Sequence, residues 1–194
     1  MNTDQTTSVV LVGVGGQGIL LASEIVAQAA LKSGYQVKTN EVHGMAQRGG
    51  SVVAQIRYGK EVHSPLVTRG TARALGALER IEALRFADYL APDGLVVVNS
   101  QMLVPVTVST GLAKYPEDAE QRLRNKFKRL IYIDAAQKAV ELGDIRAVNV
   151  VTLGALSTGL DLPLEVWHEA VAISVKPRFK DLNMKAFDIG RSCV

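Results

Sequence analysis

One cysteine in 194 residues is the sharpest absence, and it stands near the end of the chain as Cys193. A lone thiol cannot supply the several ligands that a zinc site or an iron–sulfur cluster needs. It also excludes a disulfide framework, which suits a reducing, cytoplasmic setting. Long apolar runs are missing too: no stretch approaches the ~20 residues of a membrane helix. The first seven residues are polar, with no basic segment leading into an apolar one, so no signal peptide is expected. Charge of one sign is equally scarce. Lys plus Arg number 22 against 19 Asp plus Glu, and a net +3 does not argue for nucleic acid as a partner.

What is present suits a folded core. Hydrophobic residues make up 47% and charged residues 21%, a globular balance. A chain of this length hides roughly 70% of its unfolded surface on folding, so it needs no metal or disulfide to hold it. No repeat, low-complexity tract or long linker divides it, and a single domain over 1–194 is expected.

Ser8 to Val12 is a short apolar run closed by Gly13-Val14-Gly15-Gly16-Gln17-Gly18, which reads as a buried strand. From Ile19 to Lys32, Ile19, Leu20, Ile25, Val26, Ala29 and Ala30 recur at helical spacing, and Gly34 stops that helix from the position after its C-cap. Tyr35 to Glu41 is a second strand. Strand, glycine loop, helix, strand is the opening unit of a Rossmann-like α/β domain.

Val52, Ala54 and Ile56 alternate with Val53, Gln55 and Arg57, predicting a strand over Ser51–Tyr58 with one wetter face, antiparallel or near an edge. The stretch Thr71–Leu90 fits either one long helix or a buried strand around Arg73–Leu78 followed by a helix from Glu79. The second completes a parallel sheet and is preferred. Further strands are expected at Gly94–Asn99 and Leu130–Asp134. Helices are expected after Pro116, over Asn149–Thr158, from Pro163 to Val175, and from Arg178 to about Ile189. The fold class is α/β: a three-layer sandwich around a mostly parallel mixed sheet.

Gly13, Gly15 and Gly18 match the G-x-G-x-x-G pattern in the strand-to-helix setting that a dinucleotide loop requires. Gly13, Gly15, Gly16, Gln17 and Gly18 are therefore candidate cofactor-binding residues, with the helix N-terminus at Ile19 offering free N–H groups. Glu41 could accept from a ribose hydroxyl. Against this, Rossmann-like folds also keep such a turn purely for packing, and Gly16 and Gln17 are not part of the dinucleotide pattern.

The most unusual stretch runs Glu41-Val42-His43-Gly44-Met45-Ala46-Gln47-Arg48-Gly49-Gly50-Ser51-Val52. Gly44, Gly49 and Gly50 allow close backbone approach. Arg48 offers a planar fork for carboxylate or phosphate, Gln47 adds an amide, and His43 could move a proton near neutral pH. His43 and Arg48 are the candidates for a chemical role, and the loop with Met45 is a candidate partner or substrate loop. The bland alternative is a turn in which Arg48 pairs with an acid of this same chain.

These two motifs, in this order, resemble the gamma-type subunit or domain of the 2-oxoacid:ferredoxin oxidoreductases, and most closely the beta subunit of the indolepyruvate enzymes. The resemblance spans nearly the whole chain. It continues in Ala147-Val148-Asn149, Leu153-Gly154-Ala155-Leu156 and Asn183-Met184-Lys185-Ala186-Phe187. It implies oxidative decarboxylation of a 2-oxoacid such as an aryl pyruvate to an acyl-CoA. The assembled enzyme would use thiamine diphosphate, Mg2+, [4Fe-4S] clusters and coenzyme A, with ferredoxin as acceptor. A large thiamine- and cluster-bearing subunit is the implied partner. This chain has no complete thiamine motif, since Pro92-Asp93-Gly94 and Gly143-Asp144 are only fragments of one. It is expected to be inactive alone, to expose an apolar or glycine-rich surface, and to form a homodimer if isolated.

Lesser signals weigh less. Arg122, Arg124, Lys126, Lys128 and Arg129 crowd one helix, and read more readily as its wet face than as an anion patch. His63 and His168 lack a nearby ligand cluster, and Asp134 and Asp161 read as helix caps. Two alternatives remain open at this point: a free-standing NAD(P)-binding dehydrogenase, and a purely structural assembly module.

Overall fold

The computed structural model describes residues 6–42, the backbone of His43, and residues 50–104, 108, 110–111 and 114–194. The elements follow as β1 Thr7–Val14, α1 Ile19–Lys32, β2 Gln36–His43, β3 Ser51–Gly59, β4 Ala72–Ala77, α2 Arg80–Arg85 and β5 Leu90–Asn99. After them come α3 Ala119–Lys126, β6 Leu130–Ile133, α4 Ala135–Glu141, α5 Val148–Ser157, α6 Leu164–Ser174 and α7 Lys180–Arg191. The six strands form one sheet in the order β2-β3-β1-β4-β5-β6. Only β3 runs against the rest, being antiparallel to both β1 and β2.

Strand β1 sits inside the sheet and is buried on both faces. Val9 and Leu11 point to one core, Val10 and Val12 to the other. The first core is covered by α1, α4, α5, α6 and α7; the second by α2, α3 and the turn at Ala87. This is the expected three-layer sandwich. Helix α1 ends as Gly34 predicts: at φ +82° Gly34 lets the Tyr35 N–H reach the Ala30 carbonyl at 3.1 Å, closing a Schellman turn.

Three expectations need correction. The wetter face of β3 is not wet, although its antiparallel pairing is as expected and it lies next to the edge strand β2. The segment 60–71 folds over it, the Gln55 amide oxygen accepts from the Val67 N–H at 2.6 Å, and an Arg57 guanidinium nitrogen donates to the Ser64 carbonyl at 3.0 Å. The helix proposed from Glu79 to Leu90 stops at Arg85 and gives way to a 3-10 turn at Ala87–Tyr89. Asp161 is not the cap of the helix that follows it; Pro163 occupies the N-cap of α6. Asp134 does cap α4, accepting from the Gln137 N–H at 2.9 Å.

Behind the sheet, α5 and α7 meet backbone to backbone at two glycines, and Arg191 of α7 donates to Ser157 Oγ of α5 at 2.8 Å. A Cβ on Gly154 would run into the Phe187 carbonyl, and one on Gly190 into the Val151 carbonyl. Trp167 and Phe187 stack beside this crossing with ring centres 5.8 Å apart, both fully buried.

Candidate functional site

The chain leaves β1 toward α1 on one face and leaves β4 toward α2 on the other. The carboxyl ends of these adjacent parallel strands therefore open a crevice where α/β sheets commonly take ligands. The glycine loop lies at this crevice. Gly16 and Gly18 adopt φ of +102° and +81°, backbone shapes that other residues rarely accept. A Cβ on Gly13 would stand 2.8 Å from Gln17 Oε1. Asn149, buried at the start of α5, donates through Nδ2 to the Gly18 carbonyl at 3.0 Å and holds the loop from behind.

Gln17 is a brace. Its Oε1 accepts from the Val14 N–H at 2.8 Å, while Nε2 donates to the Leu78 carbonyl at 2.9 Å and to Gln101 Oε1 at 3.2 Å. One side chain thus ties the ends of β1 and β4 to the segment after β5. Asn99, fully buried, continues the brace: Nδ2 donates to Leu78 O at 3.2 Å and Oδ1 accepts from the Ala135 N–H at 3.1 Å.

The two sequence motifs meet here. The Gly15 N–H donates to the Gly50 carbonyl at 2.8 Å, so the second loop re-enters the fold against the first. The register agrees: the His43 backbone pairs with Val52, and Val52 with Gly13. Gly44, Met45, Gln47, Arg48, Gly49 and the side chain of His43 lie outside the described residues. Glu41 is displaced. Because β3 intervenes between β1 and β2, Glu41 is level with Leu11 but two strand spacings away, roughly 9–10 Å across the sheet. A ribose acid would have to stand on the strand next to β1, so the geometry offers nothing to the free-standing dehydrogenase reading.

Two carboxylates that the sequence did not single out are buried beside the crevice. Glu79 caps α2, accepting from the Ile81 N–H at 2.7 Å and the Glu82 N–H at 3.1 Å; its other oxygen accepts from the Tyr115 hydroxyl at 2.7 Å. Burial pushes the Tyr115 hydroxyl up to about 12, with Glu79 adding to the rise and Arg80 opposing it. Arg80 lies over the Tyr115 ring, 4.8 Å from its centre. Glu82 accepts from Ser51 Oγ at 2.5 Å and pairs with Arg85 at 3.0 Å. Burial raises the Glu82 carboxyl above its usual range, with the Ser51 hydrogen bond and Arg85 only partly offsetting it. Glu82 therefore grips the residue at which β3 begins, next to the second loop.

Around this braced crevice the surface turns apolar. Leu20, Val42, Met102 and Val104 are each 46–51% exposed; Val42 is the penultimate residue of β2, and the others follow β1 or β5 in the chain. Basic residues of α3 behave as its wet face: Arg122 pairs with Asp118 at 2.8 Å and Arg124 with Glu120 at 2.6 Å. His168 pairs with Asp188 at 2.7 Å.

A family model described as pyruvate ferredoxin/flavodoxin oxidoreductase matches residues 8–193. The chain belongs to this family. It is similar to the indolepyruvate oxidoreductase subunit IorB of Pyrococcus horikoshii, with 44% identity over 94% of this chain and 93% of that protein. IorB of Archaeoglobus fulgidus is 43% identical over 94% and 92%. A solved gamma subunit of a keto/oxoacid ferredoxin oxidoreductase from Geobacter sulfurreducens has the same fold, at TM-score 0.71 and 24% identity, covering 96% of this chain and 97% of that one. Three segments carried the family resemblance besides the two loops, and two of them now have physical reasons. Asn149 holds the glycine loop, and Gly154 lets α5 meet α7 at Phe187. Glu79 and Glu82 had no comparable signal, since a carboxylate after a strand of small residues looks like any helix cap.

Proposed function

We propose that the chain is the small subunit of a 2-oxoacid:ferredoxin oxidoreductase acting on an aryl pyruvate of the indolepyruvate type. The observation that carries this is 44% identity to an indolepyruvate oxidoreductase subunit along almost the full length of both chains. In that reaction the bond between the carboxylate and the oxo carbon breaks with loss of CO2, the acyl carbon joins coenzyme A as a thioester, and the electrons leave to ferredoxin.

The donors on this chain do not fit the groups such chemistry requires. There is one cysteine, and its thiol donates to the Ile189 carbonyl at 3.1 Å. Among the described residues no cluster of His, Cys, Asp or Glu could hold a metal ion. Thiamine diphosphate, Mg2+ and [4Fe-4S] clusters accordingly belong to a larger partner subunit, and ferredoxin docks on the assembly.

This chain's own part is to present a rigid, partly apolar edge. The Gly15–Gly50 and Ser51–Glu82 hydrogen bonds fix the point at which β3 begins, and Leu20, Val42, Met102 and Val104 are apolar residues exposed at this end of the chain's strands and first helix. Such a rim suits a partner interface, where apolar residues gather at the centre. In this reading Arg48 reaches a carboxylate or phosphate across the junction. Among the described residues no helix is long and apolar enough to cross a membrane, which accords with a cytoplasmic assembly.

The test is reconstitution. The chain alone, given indolepyruvate, coenzyme A, thiamine diphosphate and Mg2+, should reduce no viologen dye, and the complex with the large subunit should. Arg48→Lys should lower turnover of the complex and leave the melting temperature of the single chain unchanged. Dye reduction by the chain alone, or full activity of the large subunit without it, would overturn the proposal.

A further inference from the structure

Arg80, the first residue of α2, lines an open hollow of about 950 Å³ together with Met102, Val108, Lys114, Tyr115 and the acids Glu117 and Asp118. One tyrosine holds its guanidinium twice. Nε donates to the Tyr115 hydroxyl at 2.9 Å, and the group lies over the Tyr115 ring, 4.8 Å from its centre. The hydroxyl is itself fixed, because it donates to the buried Glu79 carboxylate at 2.7 Å. A terminal nitrogen of Arg80 meets only the Met102 sulfur, at 3.0 Å and at the surface. A thioether is a weak acceptor, so this end of the fork is poorly satisfied.

No carboxylate among the described residues forms an ion pair with Arg80. Glu79 spends one oxygen on Tyr115 and the other on the Ile81 and Glu82 N–H groups. Asp118 is held by Arg122 at 2.8 Å. An arginine fixed in place without an anion of its own is preorganised to meet one. The hollow's other charges choose among anions. Lys114 and Glu117 are both exposed and of opposite sign, and that mixture opposes a multiply charged phosphate while it suits a protein surface. Met102 adds continuity: it lines the hollow and is also one of the exposed apolar residues of the rim. Arginine, tyrosine and methionine are the residue types in which interfaces concentrate their contacts.

We infer that Arg80 anchors the large subunit, by taking an aspartate or glutamate side chain of that subunit into the hollow. The incoming carboxylate accepts from the two terminal nitrogens and displaces the Met102 sulfur, while Tyr115 keeps Nε and the plane of the fork in place. Apolar side chains beside that carboxylate pack on Met102 and Val108 and exclude water from the pair. The inference rests on the small-subunit reading and adds the partner's chemistry at this point: a carboxylate set in an apolar ridge.

The test measures affinity of the full chain for the purified large subunit by interferometry, at low and at high salt. Arg80→Ala should bind roughly tenfold or more weakly than wild type, and Arg80→Lys should recover only part of that loss. Wild-type affinity should fall with salt more steeply than that of Arg80→Ala. Tyr115→Phe, which leaves Arg80 charged but frees Nε, should weaken binding less than Arg80→Ala does. The circular dichroism of each single chain should match wild type. A second measurement does not depend on the alanine variant folding: in the Arg80→Lys complex, a carbodiimide should join residue 80 to an aspartate or glutamate of the large subunit, located by mass spectrometry. Wild-type assembly with equal affinity and equal salt dependence in Arg80→Ala would overturn this inference alone. So would a residue-80 crosslink found only to Glu117 or Asp118 of the same chain. Failure of the wild-type chain to bind the large subunit at all would overturn the small-subunit reading, and this inference with it.

Discussion

The carboxyl end of the sheet and the α5–α7 crossing behind it are both rigid, but for opposite reasons. At the crevice, side-chain amides and carboxylates span between strand ends: Gln17 to Leu78 and Gln101, Asn99 to Ala135, Glu82 to Ser51. At the crossing, two glycines let backbone meet backbone with no room for a Cβ at either point. The first is held by polar complementarity, the second by shape. Hydrogen bonds tolerate partial loss, whereas a close-packed contact has no room to adjust. The polar end is also the end that carries the unusual loops and the exposed apolar rim, consistent with a docking role built on a braced but adaptable edge.

That comparison can be broken most severely at the crossing. Gly154→Val would drive two methyl groups into the Phe187 carbonyl region and force α5 from α7. Its expected cost exceeds the roughly 1–3 kcal/mol typical of overpacking, enough to leave little folded protein in a thermal melt. A folded variant with near-normal melting temperature would show that the helices have slack.

Next comes the polar brace. Asn99→Leu leaves the Ala135 N–H without its buried acceptor, at an expected cost of about 1–3 kcal/mol in urea unfolding. The chain should still fold and its circular dichroism should be unchanged. Loss of all folded material would make the brace as unforgiving as the crossing.

A smaller effect sharpens the electrostatic side. The Glu82 carboxyl is raised in the folded protein, so its contribution to stability is fully present below the unfolded value near 4.5 and is lost as pH rises through the elevated one. Glu82→Gln removes the charge that burial penalises and keeps an oxygen for Ser51. Relative to wild type, the variant's melting temperature should therefore be higher at pH 7.5 than at pH 4.5. A difference independent of pH would mean that the Ser51 hydrogen bond and Arg85 pairing cancel the effect of burial. The smallest change is expected on α3, where Arg124→Ala removes an exposed pair with Glu120 and should cost no more than about 0.5 kcal/mol in the same unfolding assay.

Much of the scaffold was legible in the order of residues. Helix α1 was readable to the residue at both ends, Gly34 included, because its apolar spacing and its terminator are local signals. The strand–helix split after Thr71 was also correct in kind, and β5 was readable from its run of valines. The sheet's mixed character followed from the alternation in β3. What escaped was whatever depends on residues distant in sequence. The covering of β3 by 60–71 hid its supposed wet face, and the insertion of β3 beside β1 moved Glu41 out of reach of the glycine loop.

The sequence by itself determined the family, the α/β class and the presence of two loops of unusual composition, since these reside in consecutive residues and their periodicity. Only the tertiary structure decided that the loops touch through Gly15 and Gly50, and that Gln17 spends its amide on Leu78, sixty-one positions away. It alone gathered Glu79, Glu82 and Asn99 at one crevice. The physical reason is that burial and hydrogen-bond partnership are properties of neighbours in space. Strand order sets those neighbours, and no local pattern in this chain encodes that β3 would turn back to lie between β1 and β2.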